Sequence, residues 1–158
     1  TNVLRTAGKW AGLATGIGDV IKGAAAMYAG RALLNTDTAM ILTGLAAVLG
    51  HNRSIFLGFR GGAGTSANIG VLLGWAPQAV PFVLLVGALT AMISHIASVA
   101  SIAAALAMVV SLVLFFFLSY ARLAHVIYAI LACALIVWEL RPNIERLRKG
   151  NERRVDHL

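Results

Sequence analysis

The residues best suited to chemistry lie in 50–67, read GHNRSIFLGFRGGAGTSA: an island of histidine, arginine and glycine between strongly apolar runs. In Gly61-Gly62-Ala63-Gly64-Thr65 the near absence of side chains lets backbone N–H groups turn inward together, and a helix capped by Thr65 or Ser66 adds its positive N-terminal end. Such an arrangement binds phosphate. Arg53 and Arg60 flank it and can add charge-assisted hydrogen bonds. His51 has three readings: a general base, a donor to phosphate, or a cap on the preceding helix. The competing reading of the stretch is a plain helix breaker with no ligand.

Other chemistries find little support. There is no G-x-S-x-G nucleophile elbow and no H-x-x-x-x-D run that would pair an acid and a base. His95 and His125 have no Cys, Asp or Glu at ligand spacing, so no metal and no cofactor are expected. No side chain stands out as the catalytic group. Catalysis, if present, must come from positioning and electrostatics.

The elements that would hold this loop belong to a membrane. Of the 158 residues 59% are apolar and 12% charged, against roughly 45–50% and 25% in soluble domains, and the mean hydropathy is +0.84. The net charge of +7 sits at the ends of apolar segments, as orientation signals do, so no nucleic-acid partner is expected. Cys133 has no second thiol to pair with and reads as a small buried packing residue. Residues 11–34 are long enough to cross about 30 Å of hydrocarbon. They carry Asp19 and Lys22, which at i and i+3 share a helix face as an internal ion pair or as a contact to substrate.

Residues 35–38 form a turn in which Thr38 can cap a helix running to Gly50. A short helix ends near Trp75, Pro77 and Pro81 break the chain, and 82–93 continues it. Residues 94–98 interrupt, 99–118 is an unbroken span, 119–122 turns, and 123–138 is the last span. The tail reads as a short helix, with Pro142 in its first turn, Glu145 and Lys149 paired, and Gly150 as its stop. The expected fold is an all-α polytopic membrane helix bundle of five or six helices in one integral membrane domain, 1–158, with a basic cytoplasmic tail, 141–158.

Arg141, Arg146, Arg148, Lys149, Arg153 and Arg154 place that tail in the cytoplasm. Threading backwards then brings Arg5, the glycine loop, the Ser98 turn and the tail to one face, around a single cavity. The tail's own alternative is to lie along the interface with its arginines on lipid phosphates.

Three segments together resemble one family. Thr1-Asn2-Val3-Leu4-Arg5 with Gly8-Lys9 and Asp19-Val20-Ile21-Lys22-Gly23, then Gly50-His51-Asn52 through Phe59-Arg60-Gly61-Gly62, then Arg141-Pro142-Asn143-Ile144-Glu145-Arg146-Leu147 with Gly150 and Glu152, resemble the bacterial acyl-phosphate:glycerol 3-phosphate acyltransferases of the PlsY type. The resemblance covers essentially the whole chain. It implies a multi-pass enzyme of the bacterial inner membrane, active on its cytoplasmic face in phospholipid biosynthesis. Its partners would be acyl phosphate, glycerol 3-phosphate and membrane lipid, and its product lysophosphatidic acid.

The resemblance implies substrate phosphate binding by Arg5, Gly61, Gly62, Gly64, Ser98 and Asn143, supported by Asn2, His51, Arg53, Arg60, Thr65 and Arg141. Family members carry a first span and a Ser-Gly-Asn motif ahead of the Thr-Asn pair, so the chain reads as a fragment. Two positions depart from the pattern: Ala63 stands where the family has a phosphate-contacting lysine, and Leu140 where it has a histidine. The alternatives are a divergent member using another donor or acceptor, and a non-catalytic protein that binds lipid phosphate or transports.

Overall fold

The computed structural model describes residues 2–54 and 61–155, with side chains from 7 onward in the first stretch. It is helical throughout, with seven α-helices among the described residues. The chain divides into two compact units, Thr1–Pro77 and Gln78–Leu158.

The first unit contains α1 (Asn2–Leu33), α2 (Asp37–Asn52) and α3 (Thr65–Trp75). Gly8 interrupts α1 with φ 88°, a conformation that costs glycine little. α1 packs along α3, and their backbones nearly touch. A Cβ added at Gly23 would meet the Ala67 carbonyl oxygen at 2.1 Å, and one at Gly70 would meet that of Val20 at 2.0 Å. Small residues therefore set this crossing, as they do wherever helices in lipid must gain from van der Waals packing. At the other end Arg31 Nη2 donates to the Gly74 carbonyl at 3.4 Å.

α2 returns beside α1 after a turn at Asn35, φ 41°. Its cap is Thr36, whose Oγ1 accepts from Ala39 N at 3.3 Å, and not the expected Thr38. The reason is positional: Thr36 holds the extended conformation of a cap, at φ −111°, ψ 152°, while Thr38 is already inside the helix. α3 also starts differently from expectation. Gly64, left-handed at φ 85°, occupies the cap with no side-chain bond, and Thr65 is the first helical residue with its Oγ1 buried. The turn needs a positive φ, which Thr65 and Ser66 resist.

The second unit holds α4 (Val80–Ser94), α5 (Ala97–Phe117), α6 (Leu123–Glu139) and α7 (Arg141–Arg148). Pro81 lies in the first turn of α4, where its missing N–H costs nothing. The 94–98 break is made by His95, left-handed at φ 54°, and by Ser94, whose Oγ donates to the Thr90 carbonyl at 2.6 Å and accepts from Ile96 N at 3.1 Å. His125 closes the start of α6, its Nδ1 accepting from Arg122 N at 2.9 Å. Cys133 is buried, as a packing residue should be.

By length and composition, two segments among the described residues can cross a membrane, Pro77–Ser94 and Ala97–Phe117. α6 and α7, bent by 58°, add a third if taken as one span. Their outward faces carry Leu85, Leu89, Ile93, Leu106, Val110, Leu114 and Phe117 in the open, a surface suited to lipid and not to water. This is a membrane helix protein. α1 is the longest helix, but Asp19, Lys22 and its glycines dilute its apolar residues.

The α1–α3 crossing generates a prediction. Gly70→Ala should destabilise the protein by roughly 1–3 kcal/mol through overpacking, because the clash is with backbone. Gly16→Ala, where an added Cβ meets nothing within 4 Å, should be neutral or slightly stabilising. Thermal unfolding of both variants in detergent checks this; equal midpoints would contradict the close crossing.

Candidate active site

In the first unit the polar groups gather around the last turn of α2. Asp19, 7% exposed, sits on α1 facing it. Its Oδ1 lies 3.2 Å from His51 Nδ1 and 3.6 Å from Lys22 Nζ. The expected Asp19–Lys22 pair is present, but the Lys22 side chain is 78% exposed, and such a pair contributes little. The contact that joins helices is the one to His51, whose side chain is 19% exposed.

The glycine loop lies directly over that histidine. Gly61 N donates to the Asn52 carbonyl at 3.1 Å, which pins the loop to the end of α2. A Cβ at Gly61 would meet the His51 carbonyl oxygen at 1.9 Å, and one at Gly62 would meet His51 Nε2 at 2.6 Å. Gly64 is equally tight against Asn52 Oδ1, at 2.6 Å from an added Cβ. These glycines are required for close approach: three backbone positions rest on two side chains and a carbonyl. The Gly61 amide is committed to Asn52, so an anion would be held by the amides after it and by the start of α3.

Below the loop, Asn52 is 3% exposed, and neither Asn52 Oδ1 nor Nδ2 has a hydrogen-bond partner among the described residues; nor has Thr65 Oγ1. Buried polar atoms normally find partners. Three unused atoms beneath a glycine loop are what a bound polar group or water would satisfy.

In the second unit the polar centre is Glu152. Its Oε1 accepts from Asn143 Nδ2 at 2.7 Å and from Ser98 Oγ at 3.2 Å, and its Oε2 accepts from Arg146 Nε at 2.8 Å. The carboxylate is 4% exposed and stands at the first turn of α5, where the helix dipole favours negative charge. Val155 N donates to the His95 carbonyl at 2.8 Å, so the chain after α7 returns to the α4–α5 turn. Burial pushes the Glu152 carboxyl up, but the hydrogen bonds from Asn143 and Arg146, the Arg146 charge and the Ser98 hydroxyl outweigh it. The result is a carboxyl below the ordinary 4.5.

The expected site residues distribute as follows. Gly61, Gly62 and Gly64 are brought together with His51 and, through Gly64, with Thr65. Ser98 and Asn143, 45 positions apart in sequence, share one carboxylate. Asn2 and Arg5 lie on the first turns of α1, their side chains outside the described set, and Arg60 lies outside the described residues. Arg53 ends α2, with its N–H on the Leu49 carbonyl. Arg141 is drawn away to Trp138: its Nε donates to the Trp138 carbonyl at 2.8 Å and its guanidinium lies 3.3 Å from the ring centre. Among the described residues no three His, Cys, Asp or Glu side chains form a metal-binding group.

Sequence reasoning missed two organisers. Asp19 was legible as an ionisable residue in a span, but its partner His51 is 32 positions away. Glu152 was marked only as one residue of the third segment that carries the family resemblance, with no partner assigned to it.

Comparison with known proteins bears on this arrangement. Residues 1–150 match the family model described as glycerol-3-phosphate acyltransferase. The chain belongs to the glycerol-3-phosphate acyltransferase family. It is 43% identical over 154 residues to the glycerol-3-phosphate acyltransferase of Geobacter metallireducens, covering 98% of this chain and 77% of that one. It is 42% identical over 158 residues to that of Roseiflexus sp., covering 99% and 77%. Among solved structures it is similar to PlsY (YgiH), an integral membrane glycerol 3-phosphate acyltransferase, in its glycerol 3-phosphate form. The TM-score is 0.83 at 33% identity, covering 98% of this chain and 76% of that one.

Within the acyltransferase family pattern, the two departures now have surroundings. Leu140, where the resemblance implied a histidine, is 6% exposed and caps α7 at the bend from α6, so here the position serves packing. Ala63 is half-buried in the loop between Gly62 and Gly64.

The Glu152 cluster predicts an acid limit. Its folded carboxyl titrates below its unfolded value, so its contribution is complete above about pH 4.5 and is lost as pH falls through the lower folded value. Glu152→Gln removes the charge and turns an amide donor toward other donors. It should cost about 1–3 kcal/mol at neutral pH and flatten the acid slope of thermal stability. A variant as stable and as acid-sensitive as the parent would remove Glu152 from this role.

Proposed function

We propose that this chain transfers an acyl group from acyl phosphate to the first hydroxyl of glycerol 3-phosphate, giving lysophosphatidic acid and inorganic phosphate. The hydroxyl oxygen attacks the acyl carbonyl carbon, the bond from that carbon to the phosphate oxygen breaks, and the hydroxyl proton passes to a phosphate oxygen. No side-chain base is needed, because the departing group is itself a base. The glycine loop holds the donor's phosphoryl group and neutralises the charge it gains. Ser98 and Asn143, joined through the Glu152 carboxylate, hold the phosphate of the acceptor. The site works at the cytoplasmic face of a bacterial inner membrane, a reading supported by the basic tail.

The observation that carries this reading is family membership over residues 1–150, joined to a structural likeness to PlsY in glycerol 3-phosphate and lysophosphatidic acid forms. Two features of this chain fit it. Asn143 gives one N–H to Glu152, and its amide has a second. The loop lies over polar atoms with no partner among the described residues.

The test is an assay of the full chain in detergent with acyl phosphate and glycerol 3-phosphate, following phosphate release. Turnover with this pair is expected. Asn143→Ala should raise KM for glycerol 3-phosphate by roughly tenfold, the value of one hydrogen bond to a charged group. No release with any acyl phosphate would turn the reading toward lipid-phosphate binding without catalysis.

Ala63 gives a second measurement. Ala63→Lys places an ammonium in the proposed anion site and should lower KM for the donor. A higher KM would mean that an arginine already fills that charge position.

A further inference from the structure

The Asp19–His51 pair lies inside the first unit, and the reaction proposed above gives it no task. Its geometry is directional. An imidazole whose Nδ1 faces a carboxylate at 3.2 Å has that edge of the ring held toward Asp19, which fixes ring orientation. The other edge then turns toward the loop, where Nε2 occupies the space a Gly62 side chain would need. Gly62 is exposed and His51 keeps some access to solvent, so Nε2 stands at the open face of the loop and not within the helix packing.

We propose that His51 is a phosphoryl-contacting residue of the glycine loop and that Asp19 is its positioning residue, acting only through the imidazole. When phosphate lies on the amides after Gly61, His51 meets one of its oxygens by donating an Nε2–H to it. This rests on the reading of the loop as the phosphoryl site and adds to it a side chain that reaches that site from below. From α1, Asp19 and behind it Lys22 face the imidazole; α3 contributes no titratable group, and Arg53 follows His51 by two positions. The arrangement also accounts for glycine at position 62, since a methyl there would displace the nitrogen.

The alternative is that the pair only ties α1 to α2. That role would affect every substrate and the thermal midpoint alike, so the test separates ligands. Inorganic phosphate is the probe, read as thermal stabilisation of the full chain in detergent, alongside KM for acyl phosphate and for glycerol 3-phosphate. His51→Phe should weaken phosphate binding and raise KM for acyl phosphate by roughly tenfold, with KM for glycerol 3-phosphate nearly unchanged. His51→Gln, whose amide nitrogen reaches the same place, should recover most of the loss.

Asp19→Asn should weaken phosphate binding in the parent and have no further effect in the His51→Phe background, as expected when one residue acts through another. Equal phosphate binding by the parent, His51→Gln and His51→Phe would overturn the proposal. So would an Asp19→Asn effect that persists without the histidine. If the parent itself shows no stabilisation by phosphate, the loop reading falls and this inference with it; if the parent binds and the variants bind equally, only this inference falls.

Discussion

A carboxylate buried between helices must be answered by donors, because an isolated charge out of water costs several kcal/mol or shifts to its neutral form. Asp19 meets this constraint in the first unit. It sits on α1 among residues that pack against other helices, and the side chain that answers it from another element is His51, at the end of α2. Once the imidazole is held there, the positions above it can carry no side chain. Gly61, Gly62 and Gly64 follow from where His51 and Asn52 already are. The loop's glycines thus allow the backbone to rest on the polar end of a helix.

The second unit solves a similar problem with the opposite arrangement. Glu152 comes from a stretch after α7 that has no secondary structure, yet three donors from two elements converge on it. A carboxylate so held orders Ser98 and Asn143 at fixed separation without direct contact between them. The two side chains are thus preorganised by an internal anion. Arg146 balances its charge, and Arg141 does not compete for it because the Trp138 ring and carbonyl hold it.

Much of the architecture was legible from the sequence. Pro77, Pro81, the 94–98 interruption and the 119–122 turn bound helices that begin and end within about two residues of expectation, since proline and left-handed residues stop helices by local sterics. The tail helix with its Glu145–Lys149 pair, found at 2.6 Å, is local in the same sense. The caps were less legible. Thr36 and Thr38 are chemically identical, and the one that caps is decided by where the Asn35 turn releases the chain. At Gly64 the turn geometry outranked side-chain capping altogether.

The sequence by itself determined the membrane character, the order of helices and the family, because these depend on composition and on motifs whose residues are neighbours. It also named Asp19, His51, Ser98 and Asn143 as polar residues with something to do, and Glu152 only as part of a motif. The pairings that give them that something were decided only by tertiary structure. His51 meets Asp19 across 32 positions, and Ser98 meets Glu152 across 54, distances at which no local periodicity carries information. Hydrogen bonding in an apolar surround is strong but short-ranged, so which donor satisfies which buried carboxylate is fixed by helix packing, down to glycines that let two backbones come within contact.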